Sequence, residues 1–243
     1  MTQLLQKQIG ELVAQDYRTA AIFSNYGIDF CCKGNRQIDE VCTKKKINAE
    51  QIEAELDAIL NAKSTGEPDF KQWPLDLLAD YVEKTHHRYV ESKSQPLLQF
   101  LDKLCKVHGE RHPELFKINT AFKELAQELA SHMKKEELIL FPFIKKLVQA
   151  ELTSKEIEQP HFGSVENPID MMEHEHETAG NLLRIIEKET SSYQPPADAC
   201  NTYRVTYAML KEFEEDLHKH IHLENNILFP KSIQLEKRLN VSV

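Results

Sequence analysis

Positive charge is in the minority in this chain. Thirty lysines and arginines stand against 39 acids, a formal net charge of −9. That excludes a general nucleic-acid binder, which needs a basic face. No run of about 18 apolar residues occurs, so no membrane span is expected. The first residues, "MTQLLQKQIGELVAQDY", are amphipathic and carry acids early, unlike the charged-then-apolar layout of a secretory signal. Glycine (7) and proline (10) are scarce, which with abundant Glu, Lys, Leu and Ala favours helix over sheet. Five cysteines is an odd number. Together with the missing export signal it points to a reducing cytoplasm and free or metal-linked thiols, not a disulfide frame.

Helical periodicity fills most of the chain. Residues 1–61 read as a small helical domain, with a turn-rich stretch, "YGIDFCCKGNRQ", between its first and last helices. Residues 62–74 read as a linker whose Gly66 and Pro68 let that domain move relative to the rest. Four long patterns follow, over roughly 75–108, 113–150, 168–189 and 197–236, within a unit spanning 75–238. Pro74, Pro113, Pro168 and Pro196 stand at or just before their starts, where proline costs little. The expected fold is all-α, an up-down-up-down four-helix bundle preceded by the small domain.

The bundle carries an internal repeat. "SHMKKEELILFP" (131–142) and "KHIHLENNILFP" (219–230) each hold a histidine, a glutamate four residues later and the same apolar exit. Eleven histidines are too many to nominate together, so the helix period must choose. In the first long helix Leu75, Leu78 and Val82 lead to His86 and Tyr89. His87, about 100° away, falls with Asp80, Glu83, Lys84 and Glu91 on the polar side. In the second, Phe122, Leu125, Leu129, His132, Glu136, Ile139 and Phe143 share one face. The third places His176 with Met172, Ala179 and Leu183; the fourth places His220 and Glu224 with Leu217 and Ile227.

Six polar side chains inside a bundle are costly unless something satisfies them. Four imidazoles and two carboxylates exceed the needs of one tetrahedral zinc. They suit two ions of iron or manganese type with water or oxo groups completing the shells. Glu136 and Glu224 are the expected bridges, with two histidines as terminal ligands on each ion. Which pair shares an ion is left open. Glu128, one turn before His132, and Glu175, next to His176, are candidates for orienting ligands or lining a channel. A solvated helix acid is the equal alternative for each. Cys31 and Cys32 are adjacent and so make a poor disulfide. Lys33 and Arg36 nearby are expected to lower a thiol pKa, fitting a redox or iron-transfer role. Cys42, Cys105 and Cys200 are read as core or incidental.

The four-helix part resembles the hemerythrin-like domain. With "YGIDFCCKGNR" ahead of "SHMKKEE", "EHEHETAG" and "HIHLENNILFP", the chain from residue 8 to about 232 is similar to the iron-sulfur cluster repair di-iron proteins, the RIC family (repair of iron centres). The resemblance implies a non-haem di-iron centre, oxo- or hydroxo-bridged, and a role in recovering iron-sulfur enzymes after nitrosative or oxidative stress. It carries over to His86, His132, Glu136, His176, His220 and Glu224 as ligands and to Cys31 and Cys32 as the double cysteine. His87 beside His86 departs from the family pattern. Iron supply from a labile centre is the leading function. Reduction of nitric oxide to nitrous oxide and reversible binding of oxygen or nitric oxide stand as alternatives, so enzymatic activity is left open. Implied partners are damaged iron-sulfur proteins or the cluster assembly machinery and an electron donor, with no nucleic acid or membrane, and with room for a homodimer.

Overall fold

The computed structural model describes residues 4–62 and 68–241. Among them every regular element is a helix, and the one isolated bridge joins Gln8 to Gln37. Four short helices come first: α1 (Ile9–Gln15), α2 (Thr19–Asn25), α3 (Ile38–Lys45) and α4 (Ala49–Asn61). Their apolar positions Ile9, Leu12, Phe23, Ile38, Ile52 and Leu56 are buried. Asn48 caps α4, its side-chain oxygen accepting from the Glu50 and Gln51 amides at 3.0 and 3.3 Å.

The four long helices form the expected bundle, but three are interrupted by a wide, π-helical turn. The first runs through α5 (Leu75–Tyr81), a wide turn (Val82–His87) and α6 (Arg88–His108). The second runs through α7 (Glu114–Lys135), a wide turn (Glu136–Leu140) and α8 (Phe141–Thr153). The third is the uninterrupted α9 (Glu166–Glu189). The fourth runs through α10 (Asn201–Leu223), a wide turn (Glu224–Leu228) and α11 (Phe229–Val241). The α9 start is held by Glu236, whose carboxylate accepts from Ser164 Oγ at 2.6 Å and the Val165 amide at 3.0 Å.

Two apolar clusters stack along the bundle. One holds Leu78, Val82, Phe141, Ile144, Met172 and Phe229; the other holds Leu97, Phe122, Leu129, Leu183, Leu210 and Phe213. On each long helix the join between the clusters falls at the candidate ligands. Each fully buried large apolar side chain contributes roughly 1.5–3 kcal/mol. The two cores thus hold the polar layer between them in place.

The second cluster also takes in the apolar residues of α1 to α4. The small helices are therefore packed on the bundle. Phe70–Gln72 forms a 3₁₀ turn, with Phe70 buried against Trp73 and Tyr81 at ring separations of 4.9 and 5.2 Å. Lys71 reaches back to the Glu11 carbonyl at 3.1 Å, and Lys231 donates to the Lys71 carbonyl. Gly66 lies outside the described residues.

Candidate metal centre

The repeated I-L-F-P exit has a physical meaning. A proline inside a helix removes an amide donor and its ring crowds the carbonyl four residues back. For Pro142 that carbonyl belongs to Leu138, inside the wide turn Glu136–Leu140. Pro230 stands in the same relation to Asn226 and the turn Glu224–Leu228. A wide turn accommodates both effects. Each turn opens on the glutamate of a His-Glu pair one regular helical turn long, so both side chains point the same way.

Four histidines and two glutamates meet in the polar layer, and all six are buried. His87, Glu136, His220 and Glu224 place one ligand atom each within 4.8 Å of one another; so do His132, Glu136, His176 and Glu224. Both glutamates belong to both groups. Nε2 of His87 and of His132 lies 3.3 and 3.2 Å from Glu136 Oε2; Nε2 of His176 and of His220 lies 3.2 and 3.1 Å from Glu224 Oε2. The two groups set His87 beside His220, and His132 beside His176, whose Nε2 atoms are 3.1 Å apart.

His87 replaces His86, which corrects the helical stripe. The wide turn Val82–His87 adds one residue, so the face carrying Leu78 and Val82 continues at His87, Val90 and Leu97. His87 is fully buried and not on the polar side. His86 is buried too, but outside both groups, stacked on His220 at 5.8 Å between ring centres. A signal was present: counting back from Leu97 and Val90 reaches His87 in a step of three. The same phase shift leaves Ile139 exposed and buries Leu140, Phe141 and Ile144.

Outer contacts orient three of the four imidazoles; Nδ1 of His220 has no hydrogen-bond partner among the described residues. Nδ1 of His87 donates to Glu137 at 2.9 Å, that of His132 to Glu175 at 2.9 Å, and that of His176 to Asn225 at 2.8 Å. With Nδ1 as donor, Nε2 carries the lone pair and faces a carboxylate. Two lone-pair donors facing one anion call for a cation. Among the described residues neither oxygen of Glu136 or Glu224 has a hydrogen-bond partner, nor has Nε2 of His87 or His220. Leaving two carboxylates so buried costs several kcal/mol each without a counter-charge. In the chain alone, burial pushes the His132 imidazole down, yet the nearby Glu136 charge and the Glu175 hydrogen bond lift it to about 10, so that a proton stands in for a cation. The residues fit two metal ions.

Glu175 thus holds the His132 ring, with Lys135 paired to it; the His132 hydrogen bond lowers its carboxyl to about 2. Glu128 is exposed and belongs to the solvated alternative. Sequence reasoning missed Glu137 and Asn225, whose roles depend on neighbouring helices.

The double cysteine sits against this layer. Cys31 is buried, Cys32 half-buried, and their sulfurs are 3.7 Å apart. Asn225, which holds His176, donates to the Cys31 carbonyl at 3.3 Å. Cys32 Sγ lies 3.4 Å from the His176 carbonyl. The expected lowering of a thiol pKa is overturned for Cys31. Its hydrogen bond with Cys32, its burial and the Asp29 carboxylate all raise it. Lys33 pairs with Glu177 at 3.4 Å and Arg36 donates to the Lys33 and Asp29 carbonyls, so these contacts do not reach the sulfurs. Cys42 and Cys105 are buried and Cys200 is exposed.

Comparison with known proteins agrees with this arrangement. Residues 78–232 match the hemerythrin HHE cation binding domain, and residues 5–60 match a domain of unknown function, DUF542. An iron-sulfur cluster repair protein YtfE of Musicola paradisiaca is 34% identical over 232 residues, 95% of this chain and 98% of its own length. The chain belongs to the iron-sulfur cluster repair protein family. The relatives include ScdA of Staphylococcus haemolyticus, 32% identical over 223 residues, covering 92% of this chain and 96% of its own. YtfE of Escherichia coli O8 is 34% identical over 226 residues, with 93% and 96% covered. This member of the repair family has a cation-binding bundle, and among its described residues no helix is long and apolar enough to cross a membrane.

Proposed function

We propose that the buried cluster is a non-haem di-iron centre and that the protein supplies its iron to clusters damaged by nitrosative or oxidative stress. The observation that carries this reading is the sharing of Glu136 and Glu224 by two histidine pairs. Two shared carboxylates and two imidazoles per ion leave positions open on each. Imidazole with carboxylate suits iron better than calcium or a closed zinc site. The printed names of the relatives, iron-sulfur cluster repair proteins, supply the task. Iron bound here offers redox chemistry and an ion held by exchangeable ligands. The chain contributes the rest. His87, His132, His176 and His220 would hold the ions, and Glu136 and Glu224, which belong to both groups, would be shared between them. Glu137, Glu175 and Asn225 orient the rings of His87, His132 and His176. Cys31 and Cys32, next to His176, are placed to meet iron on its way out. The proposed setting is the cytoplasm, consistent with free cysteines.

A metal count with a visible spectrum, on protein purified without added metal, tests the first half. Two irons per chain are expected, and one tightly held zinc would sink the reading. Recovery of a nitric-oxide-damaged dehydratase by iron-loaded protein, with iron followed into the enzyme, tests the second. Nitric oxide turnover under excess reductant with all iron retained would favour a redox enzyme instead.

A further inference from the structure

Asp29, Cys31 and Cys32 form a further cluster of ligand-type side chains, apart from the histidine-glutamate layer. One donor atom from each lies within 4.8 Å of the others. Both cysteines are free. Two sulfurs bound at about 2.3 Å to one tetrahedral ion stand about 3.8 Å apart, and a carboxylate oxygen bound at about 2.0 Å stands about 3.5 Å from each sulfur. The sulfurs of Cys31 and Cys32 are 3.7 Å apart, and Cys31 Sγ is 3.5 Å from Asp29 Oδ1. The three side chains are thus already at the spacing that one such ion requires.

Their surroundings are built to match. Asp29 Oδ1 accepts from the Cys32 amide at 2.9 Å, which brings Cys32 back beside the carboxylate. Asp29 Oδ2 accepts from Arg184 at 3.3 Å. Outer contacts of this kind fix a ligand's orientation. Two thiolates and a carboxylate exceed a divalent ion by one negative charge, and Arg184 supplies a positive one. Asp29, Cys31, Cys32 and Arg184 all line a cavity of about 910 Å³ between the small helices and the bundle, which gives an ion a way in.

We propose that Asp29, Cys31 and Cys32 are a metal site of their own, for one thiophilic divalent cation of zinc type. The inference does not rest on the iron-supply reading or on what the buried layer holds. Thiolate donors at tetrahedral spacing select zinc or a similar ion over magnesium and calcium. Each thiol gives its proton to water as its bond to the ion forms, and nothing is oxidised. Three protein ligands leave the fourth tetrahedral position to a water or an incoming ligand, unlike a closed structural zinc site.

The test titrates the reduced, full-length protein as purified with Co²⁺ under anaerobic conditions. Only a thiolate ligand gives cobalt a sulfur-to-metal charge-transfer band; the imidazoles and carboxylates of the buried layer do not. The parent is expected to develop that band to saturation and to lose it when Zn²⁺ is added. Cys31→Ser with Cys32→Ser should abolish it. Asp29→Asn keeps an oxygen for the Cys32 amide, and should reach half-saturation at a cobalt concentration roughly tenfold higher or more. No band in the parent overturns the site and leaves its distances to thiol hydrogen bonds. A band that survives the double substitution puts the ion on another cysteine, and parent-like affinity in Asp29→Asn removes the carboxylate; either overturns the site. A footprint on the parent needs no substitution, so a variant that fails to fold does not decide the matter. Bound Zn²⁺ should slow alkylation of Cys32 and leave that of the exposed Cys200 unchanged, and an unprotected Cys32 would overturn the proposal.

Discussion

At the scale of single residues, the centre depends on an asymmetry between terminal and shared ligands. Each histidine serves one half, whereas Glu136 and Glu224 serve both. His87→Ala is expected to cost one ion and leave a mononuclear remnant, while Glu136→Ala or Glu224→Ala abolishes the paired-iron spectrum; iron per chain and absorption of the purified variants check both. Five of the six side chains that the fold gathers in the polar layer were legible, because a buried His-Glu pair repeated at matching offsets has no cheaper explanation. Glu214 gives a residue-scale prediction away from the metal. Burial, with the Glu187 charge next, raises its carboxyl from 4.5 to about 7. The unfolded chain releases that proton first, so the stability owed to this site falls as pH rises from about 4.5 to about 7 and does not recover above that. Glu214→Gln has no such proton. Its urea midpoint relative to the parent is expected to rise across that window, and a constant offset would count against the assignment.

At the scale of elements, the wide turns decide what the sequence could reveal. Composition and apolar stripes made the four long helices readable, because a regular 3.6-residue period is what a stripe measures. A wide turn breaks the period without a marker of its own, and every misplaced residue (His86, His87, Ile139) lies within one. The prolines of the I-L-F-P exits mark two turns, whereas the first shows only in the count back from Leu97 and Val90 to His87. The third wide turn has a second duty. Asn226 within it donates toward the Phe30 and Cys31 carbonyls at 3.4 Å and lies against two glycines. A methyl group on Gly10 would stand 2.0 Å from Asn226 Oδ1 and 3.3 Å from the Gly34 backbone. Gly10→Ala must therefore push the Asn226 side chain away. A destabilisation of about 1–3 kcal/mol, typical of overpacking, is expected in denaturant unfolding. A neutral result would mean that Asn226 swings aside without loss.

At the scale of the whole molecule, a polar linker suggested a mobile small domain, and the structure packs that domain against the bundle. Phe30 meets the rings of His218 and His222 at 5.8 and 6.1 Å, and Tyr17 meets His222 at 5.6 Å. Arg184 pairs with Asp29 at 3.3 Å. These contacts join distant segments, which periodicity along one segment cannot show. They also tie the small helices to the centre, since the Cys31 carbonyl holds Asn225 and Asn225 holds His176. Deleting residues 1–61 should therefore do more than remove two thiols. It uncovers an apolar face, and it frees the Asn225 side chain that orients His176. The truncated bundle is expected to melt at lower temperature and to lose iron to a chelator roughly tenfold faster than the full chain. Cys31→Ser with Cys32→Ser separates the two roles, because serine keeps the backbone carbonyl that holds Asn225. That double variant should retain iron like the parent and yet restore a nitric-oxide-damaged dehydratase more slowly. Full repair by the iron-loaded double variant would leave the thiols without a part in transfer. Parent-like iron retention by the truncated bundle would instead sever the small helices from the centre.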